Sequence, residues 1–179
     1  MLNPTAAILI IGDEILSGRT RDSNMHYLSC ELTKIGIDLQ EARFIPDNAE
    51  KIIDDVRCLS SKYDYVFTSG GIGPTHDDIT ADCIAAAFET EISIREDAFK
   101  LLENYYSEQN IDFNSARQRM ARIPNGAKLI DNPISVAPGF YLNNVFVMAG
   151  VPNIFQSMVQ SILPLLLNGK PVLSKSVRI

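Results

Sequence analysis

Ala6-Ala7-Ile8-Leu9-Ile10-Ile11 is an unbroken apolar run ended by Gly12, the pattern of a central parallel strand buried on both faces. Met25, Leu28, Leu32 and Ile35 then recur at helical spacing up to Gly36, which predicts a helix stopped by glycine, with Asp22 or Ser23 as its cap. A second strand is expected over 37–45, ending in Pro46-Asp47-Asn48. A helix from about 48 to 61 follows, with Ile52, Ile53, Val56 and Leu59 facing inward. Tyr65-Val66-Phe67 reads as a third buried strand, and Ile79, Cys83, Ile84, Ala87 and Phe88 mark the helix after it. Strands alternating with helices indicate an α/β fold with a mostly parallel sheet.

The pattern then becomes less regular. A short strand at 92–94 precedes a helix over 96–108, and 114–120 reads as a shorter helix carrying arginines. Residues 132–140 form a stretch whose prolines and glycine restrict the backbone, and nothing in it alone distinguishes a ligand loop from a connector. Val145 to Met148 is another buried strand. Pro152 suits the first position of a last helix, whose apolar stripe is Ile154, Phe155, Met158, Val159, Ile162 and Leu166. Residues 1–170 are expected to form one domain. The tail 171–179 reads as a final strand or as the start of a further segment.

The most informative stretch joins the third strand to its helix: Thr68-Ser69-Gly70-Gly71-Ile72-Gly73-Pro74-Thr75-His76-Asp77-Asp78-Ile79-Thr80. Three glycines there let the backbone approach a ligand closely, and free N–H groups before a helix favour an anion. Two familiar phosphate loops are excluded. No lysine lies between Lys62 and Lys100 to complete a Walker A motif, and His76 stands where a dinucleotide fingerprint needs its third glycine. Asp77 and Asp78 would repel a phosphate by roughly 1 kcal/mol per pair even in water. A divalent cation between carboxylate and phosphate removes that conflict. Capping of the helix by Asp77 or Asp78 is the plainer role, and the two are compatible. Asp13, Asp47 and Asp78 all follow strand ends, where sheets of this kind bind ligands.

Composition narrows the classes. Of 179 residues, 46% are hydrophobic and 21% charged, which describes a folded globular domain. A net charge of −6 argues against nucleic acid as partner, and the one dense basic cluster is Arg117, Arg119 and Arg122. The strongest apolar run, 154–167, is shorter than a membrane span and interrupted by Gln156, Gln160 and Pro164. The start carries no basic, cleavable signal, so a cytoplasmic location without membrane contact is expected. Cys30, Cys58 and Cys83 are widely spaced and odd in number, which fits reduced packing residues better than disulfides or a metal site.

Four stretches, spread in order over nearly the whole chain, resemble the molybdopterin-binding MoaB/Mog family: Gly12-Asp13-Glu14-Ile15-Leu16-Ser17-Gly18 with Asp22 and Asn24, Pro46-Asp47, Ser69 to Thr80, and Asn132 to Phe140 with Gly150-Val151-Pro152. The likeness is strongest to the branch found in competence/damage-inducible protein A and the N-terminal domain of eukaryotic FAD synthase. The resemblance implies a three-layer α/β/α fold and an oligomer, dimer or trimer. It implies that Asp47 and Asp78 act on the ligand, and that Ser69, Gly70, Gly71, Gly73 and Thr75 hold phosphate. Gly12, Asp13, Glu14, Asn24, Pro138 and Gly139 would border the same crevice. Members that adenylate molybdopterin carry Pro-Arg before the second aspartate, whereas this chain has His76-Asp77. That replacement moves the local charge by two units and removes a bidentate phosphate donor.

The departure favours the other behaviour of this branch, cleavage of nucleotide diphosphates such as ADP-ribose or FAD with Mg²⁺, Mn²⁺ or Co²⁺. Asp13, Asp77 and Asp78 are the expected metal ligands. His76 is the candidate proton shuttle, against a plain loop role. Arg117 and Arg122 are candidate clamps for a second phosphate, against solvated surface charge, and His26 is read as structural. Two alternatives remain open: a molybdenum-cofactor enzyme with molybdopterin as ligand, and a non-catalytic nucleotide-binding regulatory domain.

Overall fold

In the computed structural model, which describes residues 2–171, the first apolar run forms β1 (Thr5–Ile11). One helical turn, α1 (Asp13–Leu16), follows at its end, then α2 (Asn24–Lys34), β2 (Asp38–Ile45), α3 (Ala49–Lys62), β3 (Tyr65–Ser69) and α4 (Thr80–Ala87). Next come β4 (Ile92–Ile94), α5 (Glu96–Glu108), α6 (Ser115–Gln118) with a 3-10 turn at Arg119–Ala121, β5 (Arg122–Pro124) and β6 (Lys128–Ile130). The chain closes with β7 (Gly139–Leu142), β8 (Val145–Met148), α7 (Pro152–Ile162) and a 3-10 turn at Leu163–Leu165. The strand expected in the tail falls on residues outside those described.

Six strands form the main sheet in the order β2-β1-β3-β8-β7-β6. The first four run parallel, and the β8–β7 and β7–β6 pairs are antiparallel. Alternation along β1 explains why its whole length is apolar. Ala7, Leu9 and Ile11 enter one core with Ile52, Val56 and Leu59 of α3 and Ile84 of α4. Ala6, Ile8 and Ile10 enter the other with Leu28 and Leu32 of α2 and Phe155, Met158 and Val159 of α7. The result is the expected three-layer α/β/α arrangement.

Three sequence expectations change here. The stretch 132–140 is not wholly a loop, because Gly139 and Phe140 begin β7. The helix expected over 114–120 is one α-helical turn followed by a 3-10 turn. The strand at 92–94 lies outside the main sheet and pairs antiparallel with β5 as a separate ribbon. That ribbon, α5 and α6 form an excursion between α4 and β6.

Because β2 and β3 flank β1 on opposite sides, the winding direction of the chain reverses there. The loops leaving β1 and β3 therefore part and open a crevice beyond the carboxyl ends of the strands.

Candidate functional site

The crevice begins with backbone. Gly70 N–H donates to the Met148 carbonyl at 3.1 Å and Thr80 N–H to the Gly71 carbonyl at 2.9 Å, while Thr80 Oγ1 donates to the Gly70 carbonyl at 3.1 Å. The buried Thr80 side chain thus pins the start of the loop to the start of α4. Asp78 closes the other end: its carboxylate accepts from Thr75 N–H at 2.8 Å and from Thr75 Oγ1 at 2.6 Å. Asp77 accepts from the same hydroxyl, and that bond holds its carboxyl below the usual range. Neither aspartate caps α4, whose preceding residue is Ile79 with no side-chain cap. The capping expectation is therefore corrected: both carboxylates brace the loop that precedes the helix.

Across the sheet edge, Asp13 at the start of α1 donates its backbone N–H to the Asp47 carboxylate at 3.0 Å, joining the loops after β1 and β2. Burial pushes the Asp47 carboxyl up. The Asp13 N–H opposes that shift, and the charges of Asp13, Glu14 and Asp77 add to it. Asp47 therefore stands on the same side of the molecule as the glycine loop, within reach of its field. His76 is exposed at the loop tip, near enough to Asp77 to affect its charge.

Asn24 is 3% exposed and locks three segments together. Its Nδ2 donates to Ser69 Oγ and to the Gly150 carbonyl, both at 2.8 Å. Its Oδ1 is buried without a hydrogen-bond partner among the described residues. Exchanging the two amide atoms would set an oxygen against the Gly150 carbonyl, which only accepts, so this orientation stands. Asp22, not the Ser23 side chain, receives the first free N–H groups of α2, from Asn24 and Met25 at 3.2 Å.

The far wall is a loop organised by Asn132, also buried, whose amide donates to Ser135 Oγ at 2.7 Å and to the Ala137 carbonyl at 2.8 Å. Val136 between them has φ 65°, a conformation that a β-branched residue adopts only under constraint. The crevice enclosed has a volume of ≈ 590 Å³, within the usual range for small-molecule pockets. Glu14, Gly70, Gly71, Gly73 and Asp78 line it, together with Tyr105, Tyr106 and Met120. Pro138 lies in a side groove that shares Gly71, Gly73 and Asp78 with the crevice and holds Arg119 and Arg122, and Gly139 is buried as the first residue of β7.

The structure also redistributes the arginines and cysteines. Arg122 is held by both oxygens of Asp82, at 3.0 and 2.6 Å. Arg117 donates to the Asp112 carbonyl and lies 5.1 Å from the Tyr106 ring centroid. Both are committed to internal contacts, so neither is a free clamp. Of the three cysteines, only Cys83 is a buried packing residue, its thiol pushed up to about 11 by burial, and Cys30 and Cys58 are exposed. His26 sits on α2 with its Nε2 3.8 Å from Cys30 Sγ, away from the crevice.

Among the described residues, no three His, Cys, Asp or Glu side chains come together as a ready-made metal cage, so Asp13, Asp77 and Asp78 do not form one. The donors that are present are hard carboxylate oxygens. They suit Mg²⁺ or Mn²⁺, which one or two carboxylates commonly hold while water and substrate phosphates complete the shell. Burial is the main cause that raises Asp47, and the neighbouring negative charges that add to it are what such an ion would relieve. The residues fit a cation shared with a phosphate.

Sequence reasoning missed Thr20, Asn132, Tyr105, Tyr106 and Met120. The tyrosine doublet near the end of a helix was a usable signal, because adjacent helical residues point about 100° apart and do not share one core face.

Comparisons with known proteins give the family and the fold. The model of a family described as "Probable molybdopterin binding domain" matches residues 7–168. A relative from Metallosphaera sedula is 36% identical over 172 residues, 93% of this chain and 65% of its own length. One from Caldivirga maquilingensis is 32% identical over 163 residues, 89% of this chain and 63% of its own. The chain thus spans just under two thirds of these relatives. The crystal structure of the protein CinA, with unknown function, from Thermoplasma acidophilum superposes with a TM-score of 0.81 at 28% identity, covering 90% of this chain and 97% of that one. The molybdopterin biosynthesis enzyme MoaB from Thermus thermophilus shares the fold at TM-score 0.60 and 15% identity, with 91% of each chain covered. No helix among the described residues is long and apolar enough to cross a membrane.

Proposed function

Since this chain belongs to the probable molybdopterin-binding domain family, we propose that its crevice takes a phosphate-bearing pterin or nucleotide and cleaves nucleotide diphosphates such as ADP-ribose or FAD with a divalent cation. The observation that carries this reading is one juxtaposition. A glycine cradle, Gly70 to Gly73, faces the crevice together with Glu14 and Asp78, and the Asp13–Asp47 pair lies along the same sheet edge. A bare backbone suits phosphate, and acidic side chains do not, unless a cation joins them.

Each residue then has a task. The cradle N–H groups after Gly70, whose own N–H is taken by Met148, orient the diphosphate, and Thr75 fixes Asp78 by two hydrogen bonds. A divalent ion, held by Asp13, Asp77 or Asp78 with phosphate oxygens, would supply charge neutralisation when bound. Asp47, whose carboxyl is pushed up by burial, takes a proton from the attacking water, a role suited to a base raised toward the working pH. Water adds to one phosphorus, the bridging P–O bond breaks, and ADP-ribose yields AMP and ribose 5-phosphate. His76, exposed at the loop tip, donates a proton to the departing phosphate, and Asp47 releases to solvent the one it took.

The test is AMP release from ADP-ribose and FAD with Mg²⁺, Mn²⁺ and Co²⁺. Turnover is expected in wild type, with a loss of about 100-fold or more in Asp78→Ala and Asp47→Ala. Absence of AMP from every diphosphate and metal would overturn the reading. Tight molybdopterin binding without release would instead assign a cofactor-biosynthesis role, and ligand-induced thermal stabilisation alone a regulatory one.

A further inference from the structure

The proposed chemistry uses the glycine-loop part of the crevice lining and leaves another side unexplained. That side is built by the excursion between β4 and β5, where α5 brings Tyr105 and Tyr106 to the crevice wall with Met120 beside them. Tyr106 is clamped: its ring stacks on Phe113 at 5.6 Å and 16°, and the Arg117 guanidinium lies 5.1 Å from its centroid. Tyr105 stands edge-on to Tyr106, with centroids 5.4 Å apart and planes at 77°. Phe99 meets Phe113 at 5.0 Å and anchors the set from within α5. The tyrosines are thus rigidly backed from behind and half-buried in front, where they face the cavity.

A wall of this kind has a chemical preference. Aromatic side chains bind planar π-systems by stacking, and that gain does not depend on which base or ring is offered. Met120 adds a polarisable, adaptable surface next to the rings. An anion cradle and aromatic side chains lining one crevice match a ligand that carries both phosphate and a flat ring.

We propose that Tyr105 and Tyr106 form a subsite for the planar heteroaromatic ring of the ligand, in the same crevice as the phosphate cradle. This rests on reading the glycine loop as the phosphate site. The ligand class is thereby a nucleotide, with its base or flavin ring on the tyrosines, and not a bare diphosphate or sugar phosphate.

Calorimetric titration with AMP, FMN and ribose 5-phosphate in the presence of Mg²⁺ tests it, because AMP differs from ribose 5-phosphate by the base alone. Wild type is expected to prefer AMP or FMN over ribose 5-phosphate by about tenfold or more. The preferred ring names its source, purine or flavin. In Tyr105→Ala the preference collapses while ribose 5-phosphate binding is unchanged, and Tyr105→Phe retains the preference. Tyr106→Leu, which keeps an apolar contact to Phe113, is expected to behave like Tyr105→Ala. The inference falls if wild type shows no preference for the ring, if neither replacement changes it, or if all three compounds weaken together. If wild type binds none of the three, the phosphate reading falls with it. Binding of ribose 5-phosphate without ring preference would sink the tyrosine subsite alone.

Discussion

A side chain at Gly70 or Gly71 would have nowhere to go. At Gly70, with φ 109°, a Cβ would run into the Ile11 carbonyl oxygen, and at Gly71, with φ 71°, into Thr80 Oγ1. The first obstacle is backbone and cannot rotate away. Gly70→Ala is therefore expected to cost about 3 kcal/mol, combining a disfavoured conformation with overpacking. A urea melt would check it, and a cost under about 0.5 kcal/mol would show that the strand-to-loop geometry relaxes freely. Such glycines are legible in a sequence because the residue type itself records the missing side chain. Asn24 was legible as a polar residue at a helix start. Its burial and its bonds to Ser69 and Gly150 were not, because those partners lie 45 and 126 residues away. The same distance problem left Arg122 as a candidate clamp, because Asp82 lies 40 residues away. Asn132, Tyr106 and Arg117 instead have nearby partners and were hidden by loop and turn geometry that has no period.

Among the elements, strands apolar along their length could be read directly, as could the short β4, whereas β5, β6 and β7 could not. β1 and β8 are buried along every position but one, Thr5 of β1, and announce themselves. β5 and β6 have three residues each, and β7 has four, too few for alternation to stand out from a loop. β2 is an intermediate case at the sheet edge, alternating exposed and half-buried positions up to Ile45. Its polar register carries a function of its own. Glu41 accepts from Lys62 Nζ at 2.8 Å, Tyr63 Oη at 2.7 Å and Arg43 Nε at 2.7 Å, tying the strand to the end of α3. These partners, Lys62 foremost, hold its carboxyl down to about 2 from an ordinary 4.5. A carboxylate depressed on folding stabilises above its unfolded value, and that contribution is lost as pH falls toward the folded one. Glu41→Gln should therefore melt a few degrees below wild type at pH 7, with the gap closing between pH 4.5 and 2. Parallel melting curves over that window would refute the tie.

For the molecule as a whole, function and stability pull against each other at one sheet edge. A chain of net charge −6 concentrates Asp13, Glu14, Asp47 and Asp77 where the winding reverses, and their mutual field adds to the burial that raises the Asp47 carboxyl. The folded state then holds a proton on Asp47 more readily than the unfolded chain does. Stability consequently falls as pH rises through the carboxylate range, and at neutral pH the ionised group is a liability. Asp47→Asn removes the charge yet keeps an oxygen to accept the Asp13 N–H, so the loop connection survives. The variant is expected to be about 1 kcal/mol more stable than wild type at pH 7 without divalent ions, the usual scale of gain when a functional strain is relieved. Adding Mg²⁺ should raise the wild-type melting temperature more than that of the variant, because wild type has the larger excess of negative charge for the ion to offset. Calorimetric melts of both proteins with and without Mg²⁺ decide the matter. A variant no more stable than wild type in the metal-free condition would mean that the carboxylates are already relieved by solvent. The reason for expecting a cation at this edge would then be gone.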